Sequence, residues 1–182
     1  MELTAEIVRE LLHYNPNTGD LFWKERPLKY FKNEVDARKW NSRYSGKKTF
    51  ASIVREKNGR IKNKTGVIFK KHYLSHRLIW LHYYGYWPKD EIDHINHDPT
   101  DNRIINLREV SRSENQKNMK LGKNSTTGHT GVCWDTKRKK YRAHIVIDYK
   151  YIHLGRYDTL KEAVEARHLA NINYNFHPNH GK

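Results

Sequence analysis

An acid-histidine pair, Asp93-His94, opens the stretch D-H-I-N-H-D-P-T-D-N-R-I-I-N-L-R at residues 93–108. Asn106 follows twelve residues after His94, and Asn115 nine after that. These residue types suit hydrolysis of a phosphodiester. That reaction needs an activated water, neutralised charge on the phosphoryl oxygens and help for the leaving oxygen. A neutral imidazole can meet the first need, and one divalent ion the other two. Mg²⁺ prefers oxygen ligands and keeps several waters, so one carboxylate and one amide oxygen suffice. Asp93 and Asn115 are the right types to hold one Mg²⁺ (or Mn²⁺), and His94 to act as general base. Asn106 is better placed to fix the loop that aims His94. Neighbours on a flat strand face opposite sides, so Asp93 and His94 reach one site only if the backbone kinks or they straddle its edge. A solvated polar hairpin would show the same acid-histidine pair.

The elements that must position these residues are legible in part. Ile92 to Ile95 reads as a short strand, Asn96 to Asn102 as a polar loop with Pro99, and Ile104 to Leu107 as a second strand. Ser111 can cap a short helix, with Glu114 completing a capping box. Asn115 and Asn118 then share one face of that helix. Upstream, a helix begins at His76-Arg77, packs Leu78, Ile79 and Leu81, and ends at Gly85-Tyr86-Trp87-Pro88. His76 and Arg77 are candidates for supporting the site, and His76 could equally be a packed helix-start histidine. His97 and Asp98 are expected to face solvent. His177 and His180 sit in a polar tail, where two ligands alone make no closed zinc site.

Farther upstream, Thr4 caps a predicted helix over about residues 5–13, with Leu3, Ile7 and Leu11 on one stripe. Leu3 and Val8 stand at staple positions. Asn15-Pro16-Asn17-Thr18-Gly19 turns the chain into a strand at Leu21-Phe22-Trp23. Residues 24–64 are rich in Lys, Arg, Asn and Gly, with a two-residue hairpin signal at Asn58-Gly59 after Ala51 to Val54. A basic arm along DNA and a solvated irregular insertion fit that stretch equally. Val67 to Phe69 reads as a strand leading into Tyr73-Leu74-Ser75.

Only 36% of the 182 residues are hydrophobic, which favours several small layers over one large core. The formal charge is +15, and basic ends flank a nearly balanced middle. A polyanion partner follows, with nucleic acid the commonest. Cys133 is the sole cysteine, which excludes an intrachain disulfide and a thiolate zinc cluster. No apolar run approaches a membrane span. The opening Met1-Glu2-Leu3-Thr4 leads into an amphipathic helix rather than a secretory segment.

Residues 121–130 lack apolar periodicity and read as a linker. Beyond it, strands are predicted at Val132-Cys133-Trp134, Tyr141 to Ile147 and Tyr151 to Leu154. Thr159 and Glu162 form a capping box for a helix whose inner stripe is Leu160, Ala163, Val164, Arg167 and Ala170.

Two resemblances sharpen this. Residues 76–118 resemble the HNH endonucleases of phage and intron homing type. The matching string is His76-Arg77-Leu78, Gly85-Tyr86-Trp87-Pro88, Ile92-Asp93-His94, Asp101-Asn102-Arg103, Asn106-Leu107-Arg108 and Glu114-Asn115. The segment from Thr4 to Trp23 is similar to the N-terminal lead of many phage members. The resemblance implies a ββα-metal core, Asp93 and Asn115 as metal ligands, His94 as general base and Asn106 as the structural asparagine. It implies products with a 5′-phosphate and a 3′-hydroxyl. Residues 128–172 resemble the Apetala-type DNA-binding domain of plant ethylene-response factors. Gly131-Val132, Tyr141-Arg142-Ala143-His144-Ile145, Leu154-Gly155-Arg156-Tyr157 and Glu162-Ala163-Val164-Glu165-Ala166 carry that match. In that family a three-stranded sheet enters the major groove. By position, Cys133, Trp134, His144 and His153 fall where members place DNA-facing side chains. Lys137, Arg138, Lys140, Arg142 and Arg156 are the expected phosphate or base contacts. Cys133 and His153 depart from the plant pattern, so its target sequence does not carry over.

The expected architecture is α+β. A lead and basic insertion occupy 1–70, a ββα-metal nuclease core 71–120, a linker 121–130, and a small sheet-and-helix DNA reader 131–182. The expected function is metal-dependent, site-directed cleavage of double-stranded DNA by a monomer in the cytoplasm of a phage-infected bacterium. The alternatives are a non-catalytic DNA-binding regulator with a relic nuclease fold, and an RNA-directed protein, which the sheet module disfavours.

Overall fold

Thr4 starts the first element as its hydroxyl predicts. It accepts from Ile7 N at 3.4 Å and caps α1, Ala5–Leu11. These features come from a computed structural model describing residues 2–182, which divides into two compact units, one ending at Glu109 and the other beginning at Val110. In the first unit, α1 buries Ala5, Val8 and Leu11, and Leu3 is buried at the predicted staple position. The helix ends earlier than the predicted residue 13. Leu12 turns extended and begins β1, Leu12–Asn15, burying Leu12 and Tyr14 while His13 faces out. A period of two wins there because both apolar side chains find the core. Past the predicted turn, β2 (Asp20–Trp23) pairs antiparallel with β1.

Residues 24–64 are more ordered than an irregular insertion. A 3-10 turn at Leu28–Tyr30 precedes α2, Glu34–Tyr44, whose Asn33 cap accepts from Asp36 N at 2.8 Å. β3 (Lys48–Thr49) adds to β2, and β4 (Ser52–Arg55) pairs with β5 (Ile61–Ile68). Apolar periodicity missed α2 because only Ala37 in it is buried. Its anchor is aromatic instead. Trp40 meets Trp23 edge-on at 5.2 Å, and the Arg26 guanidinium lies 3.9 Å from the Trp40 ring centroid. A cation over an indole face contributes about 0.5–2 kcal/mol. The β4–β5 connection is longer than two residues, with Gly59 at φ +81° closing onto Glu56 O at 2.9 Å.

The predicted strand through Val67 to Ser75 is a hairpin. β5 returns as β6 (Lys71–Leu74) through Phe69 and Lys70, at φ +49° and +65°. Two consecutive left-handed residues make the tight turn that strand twist favours, without the usual glycine or asparagine signal. α3 (Ser75–Tyr84) follows and buries Leu78, Ile79, Trp80 and Leu81. It packs on α1 and ends at Gly85, φ +87°. Each fully buried leucine or isoleucine here stabilises the unit by about 1.5–3 kcal/mol.

β7 (Glu91–His94) and β8 (Leu107–Val110) form a two-stranded sheet, with β8 ending at the boundary between units. The second strand lies later than predicted. Ile104–Asn106 is a 3-10 turn in which Ile105 is 77% exposed, and the ladder starts at Leu107.

In the second unit, Ser111 and Glu114 form the predicted capping box on α4, Arg112–Gln116. β9 (Val132–Asp135), β10 (Lys140–Ile147) and β11 (Lys150–Tyr157) make an antiparallel sheet in the order β11-β10-β9. α5 (Leu160–Asn173) packs on it, again with the predicted capping box. Val132, Ala143 and Ala163 form the centre of that interface. Residues 121–130 lie inside this unit rather than between units. Leu121 N donates to Lys182 O at 3.3 Å, and Thr127 Oγ1 to Val132 O at 2.8 Å. Backbone and hydroxyl bonds fix this segment, which apolar periodicity cannot reveal. No helix among the described residues is long and apolar enough to cross a membrane.

Candidate active site and nucleic-acid interface

The strand β7 delivers Asp93 and His94, which are only 8% and 9% exposed. Their side chains take different partners, as strand alternation requires. Asp93 Oδ2 accepts from Arg108 Nε at 2.9 Å and pairs with Arg108 Nη2 at 2.8 Å. His94 Nε2 lies 2.9 Å from Asn102 Oδ1. Its ring meets His76 of α3 edge-on, centroids 5.2 Å apart. With the amide so oriented, Asn102 Oδ1 can accept a hydrogen from Nε2 and so fix the plane of the ring.

The loop after His94 is built around Asn106. Its Oδ1 accepts from Asn96 N at 3.0 Å, and its Nδ2 donates to Asp101 O at 2.8 Å. Ile95 N donates to Asn106 O at 3.0 Å. One buried side chain thus ties both ends of the loop. Within it, Arg103 grips Asp101 through Nε at 2.8 Å and Nη2 at 2.6 Å. That hydrogen-bonded guanidinium holds the Asp101 carboxyl down at about 2. His97 adopts φ +62° at the turn, and Asp98 accepts from Thr100 N and Oγ1.

Asn102, Arg108 and Tyr14 carry contacts that residue-type reasoning left without roles. Asn102 and Arg108 stand inside the quoted motifs, where their spacing gave a signal. Tyr14 had none. Its hydroxyl donates to Asn102 O at 3.1 Å and accepts from Ile104 N at 2.9 Å. Gly19, at φ +72°, lies against the same segment, and a Cβ there would come 2.5 Å from Arg103 N. Gly19→Ala is therefore expected to destabilise the unit by about 1–3 kcal/mol and displace Asn102. Thermal unfolding checks this, and an unchanged midpoint contradicts it.

His76 is at the site and Arg77 is not. Arg77 donates to Asp90 O at 2.9 Å and Pro88 O at 2.8 Å, holding the connection from α3 to β7. Burial, reinforced by His94 and Arg77, pushes the His76 imidazole down to about 3. The unfolded chain binds that proton near 6.5, so between 6.5 and about 3 the unfolded state carries more protons. Stability then falls as pH drops through that window, by at most about 1.4 kcal/mol per pH unit. His76→Gln should flatten this slope in urea unfolding. A slope equal to wild type contradicts the assignment.

Asn115 stands on α4 in the second unit, and its backbone N bonds Ser111 O at 2.9 Å. Among the described residues, no group of three or more His, Cys, Asp or Glu side chains is arranged to hold a metal ion. Carboxylate and amide oxygens are the donor types that a hard, water-rich ion such as Mg²⁺ takes.

On the C-terminal sheet, Cys133 lies opposite Arg142, and Arg142 opposite Arg156. His144 lies opposite His153. Alternation along β9 and β10 puts Cys133, Lys140, Arg142 and His144 on one face, and a register shift beside Ala143-His144 brings His153 and Arg156 of β11 to the same face. Trp134 departs from this expectation: it pairs with Tyr141 on the other face, centroids 4.7 Å apart. Lys137 and Arg138 sit in the β9–β10 turn. Arg156 pairs with Asp135, and Lys140 with Asp158. Such exposed pairs contribute about 0–1 kcal/mol, so a phosphate can displace them. Tyr151 was not foreseen. It stacks on His144 at 4.9 Å and is exposed.

Residues 73–117 match the HNH endonuclease family. The chain is also similar to Protein 3.8 of Escherichia phage T7, with 32% identity over 87 residues, which is 47% of this chain and 72% of that protein. The chain belongs to the family of phage T7 Protein 3.8. It carries an HNH endonuclease domain, and the match encloses Asp93, His94, Asn102, Asn106, Arg108 and Asn115. No solved structure matches the chain.

Proposed function

We propose that this HNH protein is a metal-dependent, homing-type endonuclease that cuts double-stranded DNA one strand at a time. The observation that carries the reading is His94, buried, oriented by Asn102, and followed by a loop tied down by Asn106. His94 takes a proton from water as the water oxygen attacks phosphorus. The bond from phosphorus to the 3′ oxygen breaks, leaving a 5′-phosphate, and the 3′ oxygen gains a proton to become a hydroxyl. A bound Mg²⁺ or Mn²⁺ supplies charge neutralisation at the phosphoryl and leaving oxygens. Asp93 would hold it through its carboxylate, and the family pattern adds the Asn115 amide oxygen. Asn106 acts on the loop rather than on the substrate. The protein works as a monomer in the host cytoplasm during infection.

The C-terminal sheet selects the site, with Arg142 and Arg156 as phosphate or base contacts and His144, His153 and Cys133 beside them. The strands, helix and basic outer face support this reading. Arg142→Ala combined with Arg156→Ala should weaken duplex binding and lower the salt slope by about 2. Fluorescence anisotropy over a salt series measures both. An unchanged affinity and slope would remove this face from the interface.

One observation favours a second reading, a DNA-binding regulator without catalysis. Asp93 Oδ2 is engaged by Arg108 through two nitrogens. Relaxation of supercoiled plasmid in Mg²⁺ separates the two: nicked circles support the nuclease, and binding without nicking supports the regulator.

A further inference from the structure

Arg167 on α5 is 5% exposed, and among the described residues its hydrogen bonds go to no Asp or Glu side chain. Its Nε donates to Thr130 O at 3.0 Å, and its Nη2 to His180 Nε2 at 3.2 Å. The guanidinium carbon lies 5.1 Å from the centroid of the Phe176 ring. A backbone carbonyl, an imidazole nitrogen and an aromatic face surround the guanidinium. Nη1 has no hydrogen-bond partner. Burial alone displaces its ionisation, down to about 10, so the group stays cationic at neutral pH. A buried cation is ordinarily paired, because desolvation is costly without a counter-charge.

The surroundings are built to keep it there. Gly131 sits at φ +73°, and a Cβ on it would come 2.6 Å from Arg167 Nε. A cavity of about 320 Å³ opens beside the guanidinium, lined among others by His129, Thr130, His168, Asn171 and Lys182. No Asp or Glu lines it. Thr130 Oγ1 and Asn171 Oδ1 are buried there without hydrogen-bond partners. The hydroxyl can donate, and a flip of the Asn171 amide turns its NH₂ inward. The cavity lies on the α5 side of the sheet, bordered by Val132 and Val164. Cys133 and Arg142 face the other way. A duplex held on the outer face therefore does not bring its backbone into this cavity.

We propose that this cavity binds a phosphate group, with the Arg167 Nη1 edge as its principal donor and Thr130, Asn171 and Lys182 completing the shell. Nη1 is the one guanidinium nitrogen left without a partner, and a guanidinium suits phosphate oxygens. Two sources share that chemistry: free phosphate, and the terminal 5′-phosphate of a DNA strand. The proposal stands independently of catalysis at His94.

The test uses the full chain. Its thermal midpoint is followed against inorganic phosphate, with chloride at matched ionic strength as control, and phosphorus NMR line broadening reports binding directly. A saturable rise with phosphate but not chloride is expected. Arg167→Lys keeps the charge and loses the fork, and should weaken the dissociation constant by about tenfold. Because Arg167 also supports the fold, Asn171→Ala and Lys182→Ala provide gentler variants, each expected to weaken binding by about threefold or more. A short oligonucleotide with a 5′-phosphate is compared with its unphosphorylated twin. Tighter binding of the phosphorylated strand than of its twin, with the difference lost in Asn171→Ala, assigns the pocket to DNA ends, and equal binding of the two strands assigns it to free phosphate. The proposal is overturned if phosphate gives no saturable response, or if all three folded variants bind it as wild type does.

Discussion

Replacing His94 with alanine is expected to lower the Mg²⁺-dependent nicking rate by about 10²–10⁴-fold, the usual contribution of a positioned general base. DNA binding should persist, because Arg142 and Arg156 belong to the other unit. The substitution also removes the partner of Asn102 Oδ1, which is fully buried. That exposes the variant to a folding penalty of about 1–3 kcal/mol. His94→Gln separates the two effects. It offers Asn102 a hydrogen bond but no base, so it should recover stability and leave nicking as slow as in the alanine variant. Rapid nicking by a folded His94→Gln protein would remove His94 from the base role.

The second large effect is expected at Asn106. Its side chain satisfies Asn96 N and Asp101 O, and it is itself buried. Asn106→Ala leaves two loop groups without partners, which costs about 2–6 kcal/mol at the usual 1–3 per buried orphan. The loop should loosen between Asn96 and Asp101, and His94 at its root should lose its fixed orientation. Hydrogen exchange at Asn96 N measures the first consequence and plasmid nicking the second. Asn106→Asp is the informative companion. It keeps an acceptor for Asn96 N and loses the donor to Asp101 O, so protection at Asn96 should survive better than in the alanine variant. Equal exchange in both variants and wild type contradicts the clamp.

The readable parts of the chain were those where one local rule decides the outcome. Thr4, Ser111 and Thr159 announced their helices through cap chemistry, and all three caps form. Alternation from Tyr141 to Ile147 announced β10. Asn106 stands out in the sequence by type and spacing, and its side chain bonds Asn96 N and Asp101 O. The unreadable parts depend on contacts distant in sequence. α2 holds on through Trp40 against Trp23 and Arg26, a cluster no apolar stripe reveals. The turn at Phe69-Lys70 carries none of the residues that usually mark it. Tyr14 reaches Asn102 and Ile104 from about ninety positions away, so nothing near His94 pointed to it. Trp134 shows the opposite failure. Its position in the family resemblance implies a DNA-facing aromatic, but strand register places it beside Tyr141.

The central claim is that His94 and Asp93 belong to a working phosphodiesterase site. The most direct test incubates supercoiled plasmid with purified wild-type protein and Mg²⁺, with and without chelator, and then types the ends of the nicked strand. Nicked circles are expected only when the divalent ion is present. The new ends should be ligated directly by DNA ligase, as a 5′-phosphate beside a 3′-hydroxyl must be. Plasmid that is bound but stays supercoiled with Mg²⁺ and Mn²⁺ alike, or nicks that ligase cannot seal, would contradict it.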